Sequence, residues 1–105
     1  MVGLELPLLA MEHQYLITEA LPELATHEPE LVHAIDFGGE IYLRQEGRGV
    51  LLGTYERNGV PWSARETPWD FGHELLPNDL DRIAGRLEVA FGHFPALAKI
   101  GRAHV

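Results

Sequence analysis

The sequence contains no cysteine, so disulfide bonds, thiolate metal sites and thiol nucleophiles are excluded. Basic residues are scarce: eight Lys and Arg, seven of them Arg, stand against sixteen Asp and Glu, for a formal net charge of −8. A chain so poor in cations lacks the basic face that phosphate neutralisation requires, which argues against nucleic-acid and anionic-membrane binding. Apolar runs are short, well under the roughly 20 residues of a spanning helix. The opening Met1-Val2-Gly3-Leu4-Glu5-Leu6-Pro7 has no basic start and no small-residue cleavage site, so export is not expected. Serine occurs once, as Ser63 in Pro-Trp-Ser-Ala-Arg, without the strand-to-helix elbow of a hydrolase nucleophile. What is present is 105 residues, 46% of them hydrophobic, enough for one small domain.

The apolar spacing points first to strands. Between Leu8 and Thr18, residues Leu9, Met11, His13, Tyr15 and Ile17 alternate with Glu12, Gln14 and Thr18, the period of a half-buried strand whose apolar side carries His13. Pro22 and Pro29 punctuate an acidic connection, and a short strand is expected at Leu31 to Ile35 before the turn residues Asp36-Phe37-Gly38-Gly39. Glu40 to Gln45 and Val50 to Tyr55 read as strands on either side of Glu46-Gly47-Arg48-Gly49, completing an antiparallel meander of four runs. After an aperiodic loop from Glu56 to Pro68, Asn78 is placed to cap a helix whose stripe is Leu80, Ile83, Leu87 and Phe91, and Gly92 and Pro95 end it. A further helical turn is expected at Ala96 to Ile100 and an extended segment at Gly101 to Val105. The fold class expected is α+β: an antiparallel sheet of about four strands with one main helix on one face.

Several residues invite chemistry. Six histidines are present, but none forms an i,i+4 pair on the predicted helix, so no metal site is expected. Gly47-Arg48-Gly49 with Gly53 imitates a dinucleotide loop, yet a strand follows where a helix is needed, and a tight hairpin explains the same glycines. His13 is either a partly buried histidine satisfied by backbone or a ligand-facing imidazole. Tyr42 and Arg44 lie two apart on one strand and share a face, where a phenol and a guanidinium can hold a carboxylate; the plainer alternative is a solvated sheet face. Trp62, Trp69 and Phe71 fall in loops, as lids over a small core.

Three runs, Pro7-Leu8-Leu9-Ala10-Met11-Glu12-His13-Gln14-Tyr15-Leu16-Ile17-Thr18, Ile41-Tyr42-Leu43-Arg44-Gln45-Glu46 and Leu51-Leu52-Gly53-Thr54-Tyr55-Glu56, together resemble the middle of the dimethylglycine and sarcosine dehydrogenase group, FAD-dependent amine oxidoreductases of the D-amino-acid oxidase type. Trp69-Asp70-Phe71-Gly72, Leu75-Leu76-Pro77 and Phe94-Pro95-Ala96-Leu97 extend the resemblance over nearly the whole chain. It implies a fragment, residues 1–105 being the substrate-binding sheet portion of a larger enzyme whose Rossmann-type part binds FAD and lies elsewhere. It also implies oxidative demethylation of an N-methylated glycine by hydride transfer to the flavin, with tetrahydrofolate on a separate domain of many members. His13 and Tyr42 map onto substrate-facing residues of the group and become the candidate catalytic pair. Arg44 rests on the face argument alone, as a candidate substrate-binding residue.

The partners so implied are a small N-methylated amino acid and the remaining domains of the parent polypeptide. A sheet without those domains can also dimerise through its exposed surface. The group occurs in bacterial cytoplasm and in the mitochondrial matrix, and the Arg-rich composition favours the bacterial cytoplasm. The rival reading is a free-standing acidic binding or interaction module without catalysis.

Overall fold

The computed structural model of the protein describes residues 3–26, 28–99 and 103–104. Strands β1 (Tyr15–Thr18), β2 (Ala34–Asp36), β3 (Ile41–Glu46), β4 (Gly49–Thr54) and the two-residue β5 (Ala103–His104) form one sheet in the order β2-β3-β4-β1-β5. All neighbours are antiparallel. A 3-10 turn at Leu80–Ile83 leads into helix α1 (Ala84–His93), and further 3-10 turns cover Pro22–Leu24 and Pro95–Lys99. The α+β arrangement of a four-strand sheet and one main helix is therefore present, with β5 as a short addition beside β1. Of the two segments expected at the end of the chain, Ile100, Gly101, Arg102 and Val105 lie outside the described residues.

The β3–β4 hairpin follows from its sequence. Ile41, Leu43 and Gln45 alternate with Tyr42 and Arg44, and Gly47 in the turn takes φ +58°, a left-handed conformation that glycine adopts without steric cost. The meander holds for β2, β3 and β4 but not for β1, which pairs with β4 so that Leu16 faces Leu52. The connection after β1 explains the departure. Leu21 and Leu24 are buried, the Leu21 N–H donates to the Arg48 carbonyl at 2.8 Å, and the Arg48 guanidinium donates to the Leu24 carbonyl at 3.0 Å. The chain is thereby clasped to the β3–β4 turn and crosses the end of the sheet, leaving β1 on one side and β2 on the other.

The predicted first strand is also shorter and turned over. Residues upstream of β1 leave the sheet and pair with the later loop, through Glu12 N–H to the Val60 carbonyl and Trp62 N–H to the Ala10 carbonyl, both at 2.8 Å. Gln14, Leu16 and Thr18 are the buried residues, whereas Leu9, Met11 and His13 are exposed and Tyr15 and Ile17 half-buried. Long-range partners for the polar side chains explain the inversion. The Thr18 hydroxyl accepts the Val50 N–H at 2.9 Å and donates to the Glu19 carbonyl at 2.9 Å, and the Gln14 side-chain carbonyl accepts the Asp79 N–H at 3.1 Å. Buried polar groups so partnered are tolerated in a core.

That last bond corrects the expected helix start. The 3-10 turn begins after Asp79 with no side-chain cap from Asn78 or Asp79, and the Asp79 N–H is taken by Gln14, just before β1. Of the expected helix stripe, Ile83 and Leu87 are buried and, with Ala90, pack with Leu16, Ile41, Leu43 and Leu52 of the sheet, while Leu80 and Phe91 are only partly buried beside them. Leu21, Leu24 and Leu97 close the core from the connections. Because α1 covers one face, the other face of the sheet carries the candidate site.

Candidate functional site on the open sheet face

Strand register places Tyr42 of β3, Gly53 of β4 and Tyr15 of β1 in one row on the face opposite α1. The Tyr42 ring lies over Gly53 and crosses β4 toward β1. His13, two residues before Tyr15 and so on the same side, meets it there: the His13 Nε2 and Tyr42 hydroxyl are 2.7 Å apart. The two rings are nearly parallel, 3° apart in plane with centroids 6.2 Å apart. Tyr55 packs on Tyr42 at 5.4 Å, and Phe37 on Tyr55 at 6.3 Å. Burial pushes the Tyr42 phenol above its ordinary value, helped by the neighbouring Tyr55 and Tyr15 phenols and opposed by the Arg44 charge. The phenol thus stays protonated near neutral pH and can donate to His13 or to a bound anion.

The structure brings His13 and Tyr42 together and places Arg44 to one side. Arg44 shares the Tyr42 face, but its guanidinium pairs with Glu46 on the same strand and reaches the Gln45 carbonyl at 3.3 Å. Two hollows flank the pair. One, of about 170 Å³, is lined by Tyr42, Arg44, Tyr55, His33 and Ile35; the other, of about 240 Å³, is lined by His13, Tyr15, Trp62, Phe71 and Glu74 among others. Trp62 and Phe71 pack together at 4.7 Å, while Trp69 is exposed and outside this cluster. A more apolar hollow of about 210 Å³ lies on the helix side between Leu24, Leu31, Val32, Phe94 and Leu97, and has no paired proton-handling groups like those on the open face.

Beneath the backbone that carries His13 runs an ionic clamp that the sequence did not reveal. Arg82 donates from Nε to Glu56 at 2.6 Å and from Nη1 to Glu12 at 2.8 Å, and Glu56 also accepts the Gln14 N–H at 3.3 Å. Burial alone would raise the Glu56 carboxyl, but hydrogen bonds from Arg82 and Gln14, with the charges of Arg82 and His13, hold it below the ordinary range. Residues 12, 14, 56 and 82 are too far apart in sequence for spacing to show the cluster; the alternation of Glu12 and Gln14 around His13 was its one local trace.

Comparison with known proteins identifies relatives of the chain as a whole. The chain is 40% identical over 104 residues to the mitochondrial dimethylglycine dehydrogenase of Mus musculus, a match covering 94% of this chain and 12% of that protein. It is 31% identical over 101 residues to the mitochondrial sarcosine dehydrogenase of the same organism, covering 96% of this chain and 10% of that protein. The chain is homologous to one segment of the dimethylglycine and sarcosine dehydrogenases. A bacterial relative, the 4-methylaminobutanoate oxidase (formaldehyde-forming) of Paenarthrobacter nicotinovorans, is 31% identical over 103 residues, 94% of this chain and 12% of the relative. The chain therefore spans about an eighth of the length of these dehydrogenases or less. No protein-family model matches it. The mammalian dehydrogenases are named as mitochondrial, so the expectation of a bacterial cytoplasm gains no support from them.

The glycine-rich run that imitates a dinucleotide loop does not have the strand-to-helix setting of one. Gly47 and Arg48 turn between two antiparallel strands and Gly49 opens the second, so the run presents no helix N-terminus to a pyrophosphate. Nor do the described residues form a cluster of three metal-ligating side chains, or a helix long and apolar enough to cross a membrane.

Proposed function

We propose that the chain is the substrate-facing portion of a longer FAD-dependent oxidoreductase that oxidatively demethylates N-methylated glycine derivatives such as dimethylglycine or sarcosine. The observation that supports it most is the 2.7 Å contact between His13 and Tyr42 on an open sheet face, in a chain homologous to dehydrogenases of those two amines. An imidazole nitrogen beside the bound amine accepts its proton and keeps the nitrogen lone pair free, the form from which an N-methyl carbon is oxidised. The Tyr42 phenol, protonated near neutral pH, donates to the substrate carboxylate and fixes its orientation. Arg44 borders the hollow next to Tyr42 and adds its charge there if the carboxylate displaces Glu46. FAD, and any tetrahydrofolate, would be held by other parts of the longer polypeptide. The isolated chain is then inactive, and its partners are the substrate and those other parts.

The test compares flavin reduction by dimethylglycine and by sarcosine in the longer polypeptide carrying this segment, in its Tyr42→Phe variant and in the 105-residue chain with added FAD. Reduction by the longer protein only, slowed on the order of 100-fold by Tyr42→Phe, is expected. Failure of the longer protein to reduce flavin with any N-methylated amino acid would sink the assignment, and reduction by the short chain alone would sink the division of labour.

A further inference from the structure

We propose that Gly53 is the positioning residue of the His13–Tyr42 pair: having no side chain, it leaves the strip of β4 on which the Tyr42 ring lies to reach His13. This rests on the reading of the pair as substrate-facing and adds the residue that sets its reach. A glycine inside a paired strand weakens it, because β-branched and aromatic residues suit that position better. Backbone conformation does not require one here, since among the described glycines only Gly3 and Gly47 have positive φ. Space requires it. A Cβ at position 53 would stand 1.9 Å from Tyr42 Cζ, 2.2 Å from its hydroxyl and 2.3 Å from Cε2.

Those three atoms belong to the far end of the ring, the end that carries the hydrogen bond to His13. A methyl group at position 53 therefore lifts the phenol off the sheet and away from His13, while the Tyr42 backbone and the β3–β4 ladder can remain in register. The consequence is selective: the sheet survives, and the pair is separated. Substrate contacts made by the phenol move with it, and a displacement of about 1 Å in an oriented site costs on the order of 100-fold in rate.

The experiment uses Gly53→Ala in this chain and in the longer flavin-loaded polypeptide. In the chain, NMR with ¹³C-labelled tyrosine and ¹⁵N-labelled histidine follows the Tyr42 titration and the His13–Tyr42 ring contact. The expected result is a retained fold, loss of the cross-peak between the rings, and a Tyr42 titration that falls back toward 10 as the phenol leaves its partly buried place. In the flavoprotein, Gly53→Ala slows flavin reduction by dimethylglycine in the Tyr42 background and has little further effect in the Tyr42→Ala background, where no ring is left to displace. An unchanged ring contact and titration in Gly53→Ala overturn the proposal. Loss of the contact with flavin reduction unchanged supports the positioning role and overturns the substrate-facing reading instead, so the two fail separately. Where Gly53→Ala does not fold, the Tyr42→Ala/Gly53→Ala variant decides: restored folding supports the clash, and a fold equally lost without the ring overturns it.

Discussion

Replacing Arg82 with methionine keeps most of the side-chain volume and removes every charge-assisted bond of the clamp beneath His13. Two short bonds are lost, to Glu56 at 2.6 Å and to Glu12 at 2.8 Å, with a marginal third to Glu56 at 3.5 Å. The Glu56 side chain is 8% exposed and that of Glu12 25%, so the variant strands one nearly buried carboxylate while water recovers much of the other. Removing one partner of a fully buried pair costs about 3–5 kcal/mol and of an exposed pair about 0–1, which places Arg82→Met at about 2–3 kcal/mol. For a domain of this size that is a fall in Tm of roughly 10–20 °C, measurable by circular dichroism at pH 7. The pH dependence has a definite sign. The Glu56 carboxyl sits below its ordinary 4.5 in the folded protein, so the stability it contributes is complete above 4.5 and is lost as pH falls through the folded-state value. The gap between Arg82→Met and the parent chain therefore narrows in acid. Adding Glu56→Gln removes the stranded charge and recovers part of the loss at neutral pH. A gap below about 0.5 kcal/mol at pH 7, the range of ordinary surface substitutions, or one that does not change with pH, would refute the clamp.

Other substitutions test other joints. Leu52→Ala, at a fully buried residue in the central strand, should cost about 2–4 kcal/mol in denaturant unfolding. Gln14→Leu leaves the Asp79 N–H without its acceptor, so faster hydrogen exchange at that amide should accompany a loss of about 1–2 kcal/mol. Asp36 accepts the Gly39 N–H and neighbours His93 at 3.1 Å, and its carboxyl lies below the ordinary 3.8; NMR titration should find it there, and Asp36→Asn should flatten the acid loss of stability as pH falls through that range.

The legible parts of the fold were those fixed by neighbours in sequence. The Gly47 turn, the β3 strand before it and the spacing of Ile83 and Leu87 each state a local geometry that packing then confirmed, whereas Ala90 took the buried place assigned to Phe91. The facing of β1 was not legible, because β1 is flanked on both sides and accepts apolar residues on either face, and because Gln14 and Thr18 owe their burial to partners at Asp79 and Val50. The start of the helix failed for the same reason, its acceptor coming from a residue 65 positions earlier. Within the site, Tyr42 and Arg44 shared a face as their spacing required; the same spacing sets Glu46 beside Arg44, a competitor for its charge that the sequence reading passed over. The meeting of His13 with Tyr42 lay beyond periodicity, and resemblance alone pointed to it.

With helix α1 on the other face, the His13–Tyr42 hydrogen bond lies exposed on a face bordered by Ile35, Phe37 and Tyr55. Tyr42 is already partly desolvated there, and a 4 Å interaction between charges is worth about fourfold more when the surrounding dielectric falls from about 80 to about 20. Whatever covers this face therefore sets the electrostatic strength of the pair without touching either residue.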